Sequence, residues 1–145
     1  MKIGFRPLSI KDDWAWAQQC VPLNFPLDVK GIVTVDMNTG DRLAVVVFDS
    51  WTENSVTAHY AILNPFVIRS GFFEEAMRYV FVTANRKKMI GLIRSDNEDS
   101  LRVTKKIGFE EVVVVPDYFE DNVDLHVLML KREDCRFIAE HERAA

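Results

Sequence analysis

Three side chains in this sequence are of types that can transfer a proton. His59 lies in an apolar run that predicts a strand, and imidazole titrates near neutral pH, as a general base requires. Tyr118 and Glu120 lie in a more polar stretch and are alternative acid or base candidates. The other interpretation of His59 is structural, as a partly buried strand histidine held by a hydrogen-bond partner. The sequence therefore indicates acid–base chemistry and leaves the identity of the base open.

The spacing of the metal-ligating residue types does not indicate a metal site. The three histidines and the two cysteines, Cys20 and Cys135, are scattered and match no zinc motif. Two cysteines are also too few for a disulfide framework, and they fit a reducing compartment. We therefore predict no metal.

One continuous block, Met89–Phe109, predicts a strand, a polar loop, a short helix and a glycine stop. Its apolar start has the pattern of a strand covered on both faces. Asp96 or Asn97 can cap the helix, and Gly108 stands where a left-handed C-cap is needed. We expect this helix to pack on its own strand.

The rest of the chain predicts strands and helices in a regular order. A strand at Ile3–Pro7 precedes a helix that Ser9 can cap. Further strands are predicted at Gly31–Asp36, Arg42–Phe48, Val56–Leu63, Glu111–Val115 and Val123–Lys131, with a helix at Phe72–Arg86 and a loop at Pro116–Asn122. The last residues, 132–145, read as a charged tail, so we predict one domain over residues 1–131.

Two local patterns within this order resemble the GNAT N-acetyltransferase superfamily. The family's pattern of an asparagine, a small residue and a helix ending in Lys-x-Gly-Phe is matched by Asn97, Ser100, Lys106, Gly108 and Phe109. Thr104 stands where the family has a tyrosine. After Pro65, the family's phosphate-binding loop corresponds to residues 68–73, where the central glycine is retained and Phe73 replaces a small residue. The resemblance in element order covers Ile3–Lys131.

The resemblance implies an α/β (α+β) fold of GNAT type: a mixed, mostly antiparallel sheet, splayed at its centre, with helices on both faces. It implies acetyl-CoA as co-substrate and places His59 beside the thioester. The residues implied to bind acetyl-CoA are Ile62, Leu63, Arg69, Ser70, Gly71, Phe72, Phe73, Asn97, Leu101 and Lys106. Thr104 is far too weak an acid to protonate a departing thiolate.

Two functions remain open at this stage. The first is an acetyl-CoA-dependent N-acetyltransferase. Its acceptor would be a protein or peptide, because the proline-broken Val21–Lys30 segment predicts an open groove over the acceptor site. The second is a GNAT-like module that has lost catalysis and binds a protein partner, which Ile68, Phe73 and Thr104 favour.

The composition and charge of the chain limit the kinds of partner that it is expected to bind. The chain has 145 residues and a net charge of −4 with scattered basic residues, so no footprint for nucleic acid is visible. It contains no signal peptide and no apolar run near twenty residues, so we predict a soluble cytoplasmic protein that does not contact a membrane.

Overall fold

A computed structural model describes residues 1–21 and 28–144 of the chain. Seven strands form one sheet: β1 Ile3–Pro7, β2 Lys30–Asp36, β3 Arg42–Asp49, β4 Ser55–Ile62, β5 Lys88–Arg94, β6 Glu110–Glu120 and β7 Val123–Lys131. The strand order is β1-β2-β3-β4-β5-β7-β6. Among the described strands, only β4 and β5 pair in parallel, and the other pairs are antiparallel. The sheet is therefore mixed and mostly antiparallel, as predicted.

Helices connect these strands. They are α1 Ile10–Cys20, α2 Phe66–Arg69, α3 Phe72–Arg78, α4 Glu98–Lys106 and α5 Glu140–Arg143. The predicted caps are confirmed: Ser9 accepts a hydrogen bond from the Asp12 amide and Asn97 accepts one from the Ser100 amide. Gly108 has a φ of +115° at the end of α4, where a side chain would be strained. No helix in the described ranges is long and apolar enough to cross a membrane.

Apolar side chains pack on both faces of the sheet, because successive residues of a strand point to opposite sides. On one face α1 covers a cluster that includes Ala17, Val45 and Val47. On the other face α3 and α4 cover a larger cluster, which includes Phe48, Phe72, Met77, Ile107 and Leu128. Helices on both faces are thus confirmed, and the two sides of the sheet are chemically distinct.

The parallel strands β4 and β5 separate partway along their length. Their ladder covers only Ser55–Ala58 against Lys88–Gly91. Beyond it each strand stays bound to its outer neighbour, since Ile62 still pairs with Ala44 of β3 and Arg94 with Leu125 of β7. The result is the predicted splay, a wedge-shaped gap in the middle of the sheet.

Two predicted elements differ in extent. The loop predicted at Pro116–Asn122 is wrong, because β6 continues to Glu120 and only the next two residues form the turn. Pro116 is tolerated there because β6 is an edge strand, where a missing amide breaks no ladder on the open side. The helix predicted at Phe72–Arg86 changes to a π turn at Tyr79–Thr83, and the segment before it contains the short helix α2.

The prediction that β5 is covered on both faces is also wrong. Met89, Gly91 and Ile93 are buried beneath α3 and α4, but Leu92 on the opposite face is 43% exposed. In the described chain, the cluster under α1 contains side chains of β2 and β3 and none of β5. An uncovered apolar side chain therefore lies beside the gap.

The segment after β7 adds side chains to the core. Cys135 and Ile138 are buried in the same cluster as Phe72. The Arg143 guanidinium donates hydrogen bonds to the carbonyls of Cys135 and Ile138. Most of the Val21–Lys30 segment, for which an open groove was predicted, lies outside the described residues.

Candidate active site

A cavity of about 460 Å³ occupies the gap between β4 and β5. Its walls include Ala58, His59 and Tyr60 from β4, and Gly91 and Leu92 from β5. The cavity size is within the range usual for small-molecule sites. Because the strands no longer pair at this point, the cavity reaches from one face of the sheet to the other.

His59 lines the cavity on the α1 side of the sheet, since it pairs with Val47 of that core cluster. Its Nε2 atom lies 3.0 Å from Oδ1 of Asp49, and both side chains are largely buried. If Nε2 donates its proton to the carboxylate, Nδ1 is the ring nitrogen that is left to accept one. The arrangement of a carboxylate behind an imidazole is suited to a general base.

Tyr60 enters the same cavity from the opposite face. Its hydroxyl lies 3.0 Å from Oγ1 of Thr104 on α4, so the side chain spans the gap from strand to helix. The Tyr60 ring packs on Phe72 and Phe73, with centroids 6.4 and 5.7 Å away. The phenol of Tyr60 is thus held in the cavity wall, next to Thr104 on α4.

Strand alternation alone predicts that only one of the neighbours His59 and Tyr60 can point at the cleft, and this prediction is wrong. It assumes a continuous sheet, in which neighbouring residues of a strand lie on different faces. The split between β4 and β5 joins the two faces, so both side chains line one cavity.

The structure brings some of the predicted site residues together and leaves others apart. His59, Phe72, Phe73, Asn97 and Tyr118 line the cavity. Within the described chain, the other predicted residues do not line the cavity. They are Glu120, Ile62, Leu63, Arg69, Ser70, Gly71, Leu101 and Lys106. Ile62 and Leu101 pack against the large core, whereas Leu63, Arg69 and Lys106 are exposed.

The turn at the start of α3 has the geometry of a backbone anion site. Gly71 has a φ of +98°, and the first amides of the helix that follows have no acceptor within their own helix. The Ser70 hydroxyl donates to the Phe66 carbonyl, and the Arg69 side chain is exposed. Phe73, which replaces a small residue of the family's loop, has its ring buried against Tyr60 and Phe137 and points into the protein.

The two alternative acid or base candidates sit at the edge of the site. Tyr118 is 59% exposed at the rim of the cavity. Glu120 accepts a hydrogen bond from the Arg94 guanidinium at 3.1 Å. Asp96 binds the same guanidinium, and this contact lowers the pKa of the Asp96 carboxyl. Glu120 therefore forms a surface ion pair with Arg94. It lies on β6 and not in the loop that was predicted from the sequence.

Two residues of the site were not among the sequence candidates. They are Asp49, which follows the end of the predicted strand β3, and Tyr60, which directly follows His59. The signal for Asp49 is the hairpin register: Val47 pairs with His59 and Asp49 with Thr57, which puts Asp49 and His59 on one face as diagonal neighbours. Within the described chain, no group of three or more His, Cys, Asp or Glu side chains is arranged to hold a metal.

Comparison of the sequence with protein-family models finds no match, and comparison with curated proteins finds none either. Solved structures match closely in fold. Spermidine/spermine N-acetyltransferase SpeG from Vibrio cholerae, solved with manganese ions, has a TM-score of 0.75 at 12% identity, over 90% of this chain and 92% of that one. A variant of SpeG gives 0.75 at 13% identity, over 96% and 98% of the two chains. A candidate phosphinothricin N-acetyltransferase gives 0.70 at 18% identity, over 90% and 98%.

Proposed function

We propose that this chain, which has the GNAT acyltransferase fold predicted from its sequence, transfers an acetyl group from acetyl-CoA to an amine. The observation that carries the proposal is the cavity in the split sheet, with the His59–Asp49 pair on one face and the Tyr60 phenol on the other. Similar solved structures named as N-acetyltransferases support it.

The groups on the two faces of the sheet have different roles in proton transfer. The amine must lose a proton as its nitrogen attacks the thioester carbon, and His59 is the group on the α1 face that can take it. Asp49 stabilises the imidazolium that forms. The carbon–sulfur bond breaks as the new carbon–nitrogen bond is completed, and the sulfur leaves as a thiolate. Tyr60 is the hydroxyl on the other face that can donate a proton to the sulfur.

Acetyl-CoA would approach from the α3–α4 side. Its pyrophosphate would meet the amides at the start of α3 after Gly71, with the Arg69 charge nearby. Its thioester arm would run between β4 and α4, past Phe72 and Asn97, into the gap. Ile62, Leu63, Ser70, Phe73, Leu101 and Lys106 remain predicted contacts along this route.

For the acceptor we propose a small amine. The expectation of a protein or peptide depended on the Val21–Lys30 segment and stays a prediction. The names of the similar solved structures refer to small amines, spermidine, spermine and phosphinothricin. On the α1 face, the space beside His59 is the part of the cavity that such an acceptor would fill.

Calorimetric titration with acetyl-CoA tests the proposed site through two matched variants. Gly71→Ala adds a Cβ at a positive φ in the proposed phosphate turn, and Gly40→Ala adds one at a φ of +80° in the β2–β3 turn. Both carry similar backbone strain, on the order of 1–2 kcal/mol. We expect at least tenfold weaker acetyl-CoA binding in Gly71→Ala only. Equal affinity in the two variants would contradict the assignment.

A second candidate function is the partner-binding module without catalysis. The observation that favours it is the exposed apolar strand β6, where Val112 and Tyr118 are 57% and 59% exposed. Acetylation of any amine in a panel by the purified protein, lost in His59→Gln, decides for the enzyme. A protein that binds acetyl-CoA and acetylates nothing in the panel decides for the module.

A further inference from the structure

The cavity wall on the His59 side of the sheet is apolar. Leu92, Phe119 and Leu125 line it there, with Tyr118 at the rim. Leu92 and Phe119 are 43% and 41% exposed, so their apolar surface is open to a ligand. A ligand that covers these side chains gains free energy in proportion to the apolar area removed from water.

No carboxylate lines the cavity in the part of the chain that the structure describes. Asp49 lies behind His59 and is hydrogen-bonded to it, while Asp96 and Glu120 both bind Arg94. The sequence of residues 22–27, Pro-Leu-Asn-Phe-Pro-Leu, contains no acidic residue either. Among the described residues, a ligand with several ammonium groups would find no carboxylate beside this wall that is not already paired.

Among the described residues that line the cavity, the one fixed charge is the Arg94 guanidinium, and its contacts with Asp96 and Glu120 neutralise it. Arg94 lines the cavity with its guanidinium carbon 5.0 Å from the centre of the Phe119 ring. An ammonium group beyond the reacting nitrogen would lose its hydration against apolar side chains and meet no unpaired carboxylate, and burial of an unpaired charge is strongly unfavourable. The wall therefore favours an uncharged apolar group over a second ammonium group.

We infer that the acceptor is a primary amine with a single apolar substituent, aromatic or aliphatic, and that it is not a polyamine. The inference rests on the proposed acetyl transfer. The amino group lies at His59, and the substituent packs on Leu92, Phe119 and Leu125. In this respect the chain differs in acceptor class from the spermidine acetyltransferases whose fold it shares.

The test compares 2-phenylethylamine with spermidine as acceptors at saturating acetyl-CoA. We expect kcat/KM for 2-phenylethylamine to exceed that for spermidine at least tenfold. In Leu92→Glu the new carboxylate should lower kcat/KM for 2-phenylethylamine at least tenfold and raise it for spermidine. Val112→Glu is the matched control, because Val112 is also exposed on the same half of the sheet and is not part of the cavity lining.

Three results would overturn the inference: a preference of the native protein for spermidine, equal use of the two amines, or the same behaviour in Leu92→Glu and Val112→Glu. A separate measurement covers the case in which acetyl transfer itself is absent. Calorimetric titration of each amine into the protein saturated with coenzyme A should still show tighter binding of 2-phenylethylamine. Binding of spermidine that is equal or tighter, or no binding of either amine, would overturn the acceptor class independently of turnover.

Discussion

The hydroxyl of Tyr60 on β4 and Oγ1 of Thr104 on α4 lie 3.0 Å apart across the gap in the sheet. Thr104 is 2% exposed and cannot itself act as an acid at neutral pH. This contact holds the Tyr60 phenol of β4 beside Thr104, the position on α4 that has no phenol of its own. The chain can therefore carry a hydroxyl acid in the cavity although its helix motif departs from the family pattern.

Tyr60→Phe should lower kcat by about 10- to 100-fold, within the usual range for loss of a general acid. The ring packing on Phe72 and Phe73 is kept, so acetyl-CoA affinity should stay within about twofold. Steady-state kinetics and calorimetry measure the two effects. Tyr79→Phe, in the aromatic cluster with Phe48 and Trp51, is the control and should leave kcat unchanged.

His59→Gln should lower kcat/KM by about 10²- to 10⁴-fold and leave acetyl-CoA affinity intact, since the imidazole moves a proton and holds no phosphate. The pH–rate profile should differ between the native protein and the variant, because the variant lacks the group that accepts the proton. Asp49→Asn should show a smaller loss. A pH–rate profile measures all three proteins.

The control for that experiment is His126→Gln. His126 is also a strand histidine bound to a carboxylate, Glu111, and it lies outside the cavity lining described here. It should retain the native profile. An unchanged pH–rate profile in His59→Gln would move the role of base to Tyr118, which lines the rim of the cavity.

Asn97→Ala should destabilise the fold by about 1 kcal/mol, because the side chain caps α4 through the Ser100 amide. It should also weaken acetyl-CoA binding, because Asn97 lines the cavity. Ser9→Ala removes an equivalent cap from α1, with the same 3.2 Å contact. Urea unfolding should give similar losses for both, and calorimetry should show weaker binding in Asn97→Ala alone. Equal binding in the two would remove Asn97 from the site.

Asp13 should make the fold sensitive to acid. It is buried, and its hydrogen bonds to Arg6 and then to the Ser9 amide and Arg42 lower the pKa of its carboxyl to about 2. A carboxyl with a depressed pKa stabilises the fold above its unfolded pKa, about 3.9, and this stabilisation is lost as pH falls towards 2.

Asp13→Asn should therefore lower the free energy of unfolding by about 2 kcal/mol at pH 7, with the difference from the native protein shrinking as pH falls below about 4. Urea unfolding at pH 7 and pH 3 measures it. The control is Asp99→Asn, which removes an exposed pair with Arg102 and should have little effect at either pH. A constant difference across this pH range would contradict the assignment to Asp13.

The order of elements was predictable because strand alternation and capping residues are local signals. Ser9, Asn97 and Gly108 mark helix ends correctly without any tertiary information. The extent of β6 was not predictable, since whether Pro116 ends a strand depends on whether that strand lies at an edge. The site was predicted only in part, because the shared cavity of His59 and Tyr60 depends on where β4 and β5 cease to pair.

Strand β6 also bears on how the protein behaves at high concentration. A long apolar edge offers unpaired amides and carbonyls on which another extended chain can add. Here the register with β7 shifts between Glu111 and Val113 and again after Val115, and Pro116 removes one amide. The longest uninterrupted run of β6 pairs is thereby Val113–Val115. A second polypeptide that docks along this edge finds too short a template for continued growth, so the strand can keep its valines exposed without acting as a seed for fibrils.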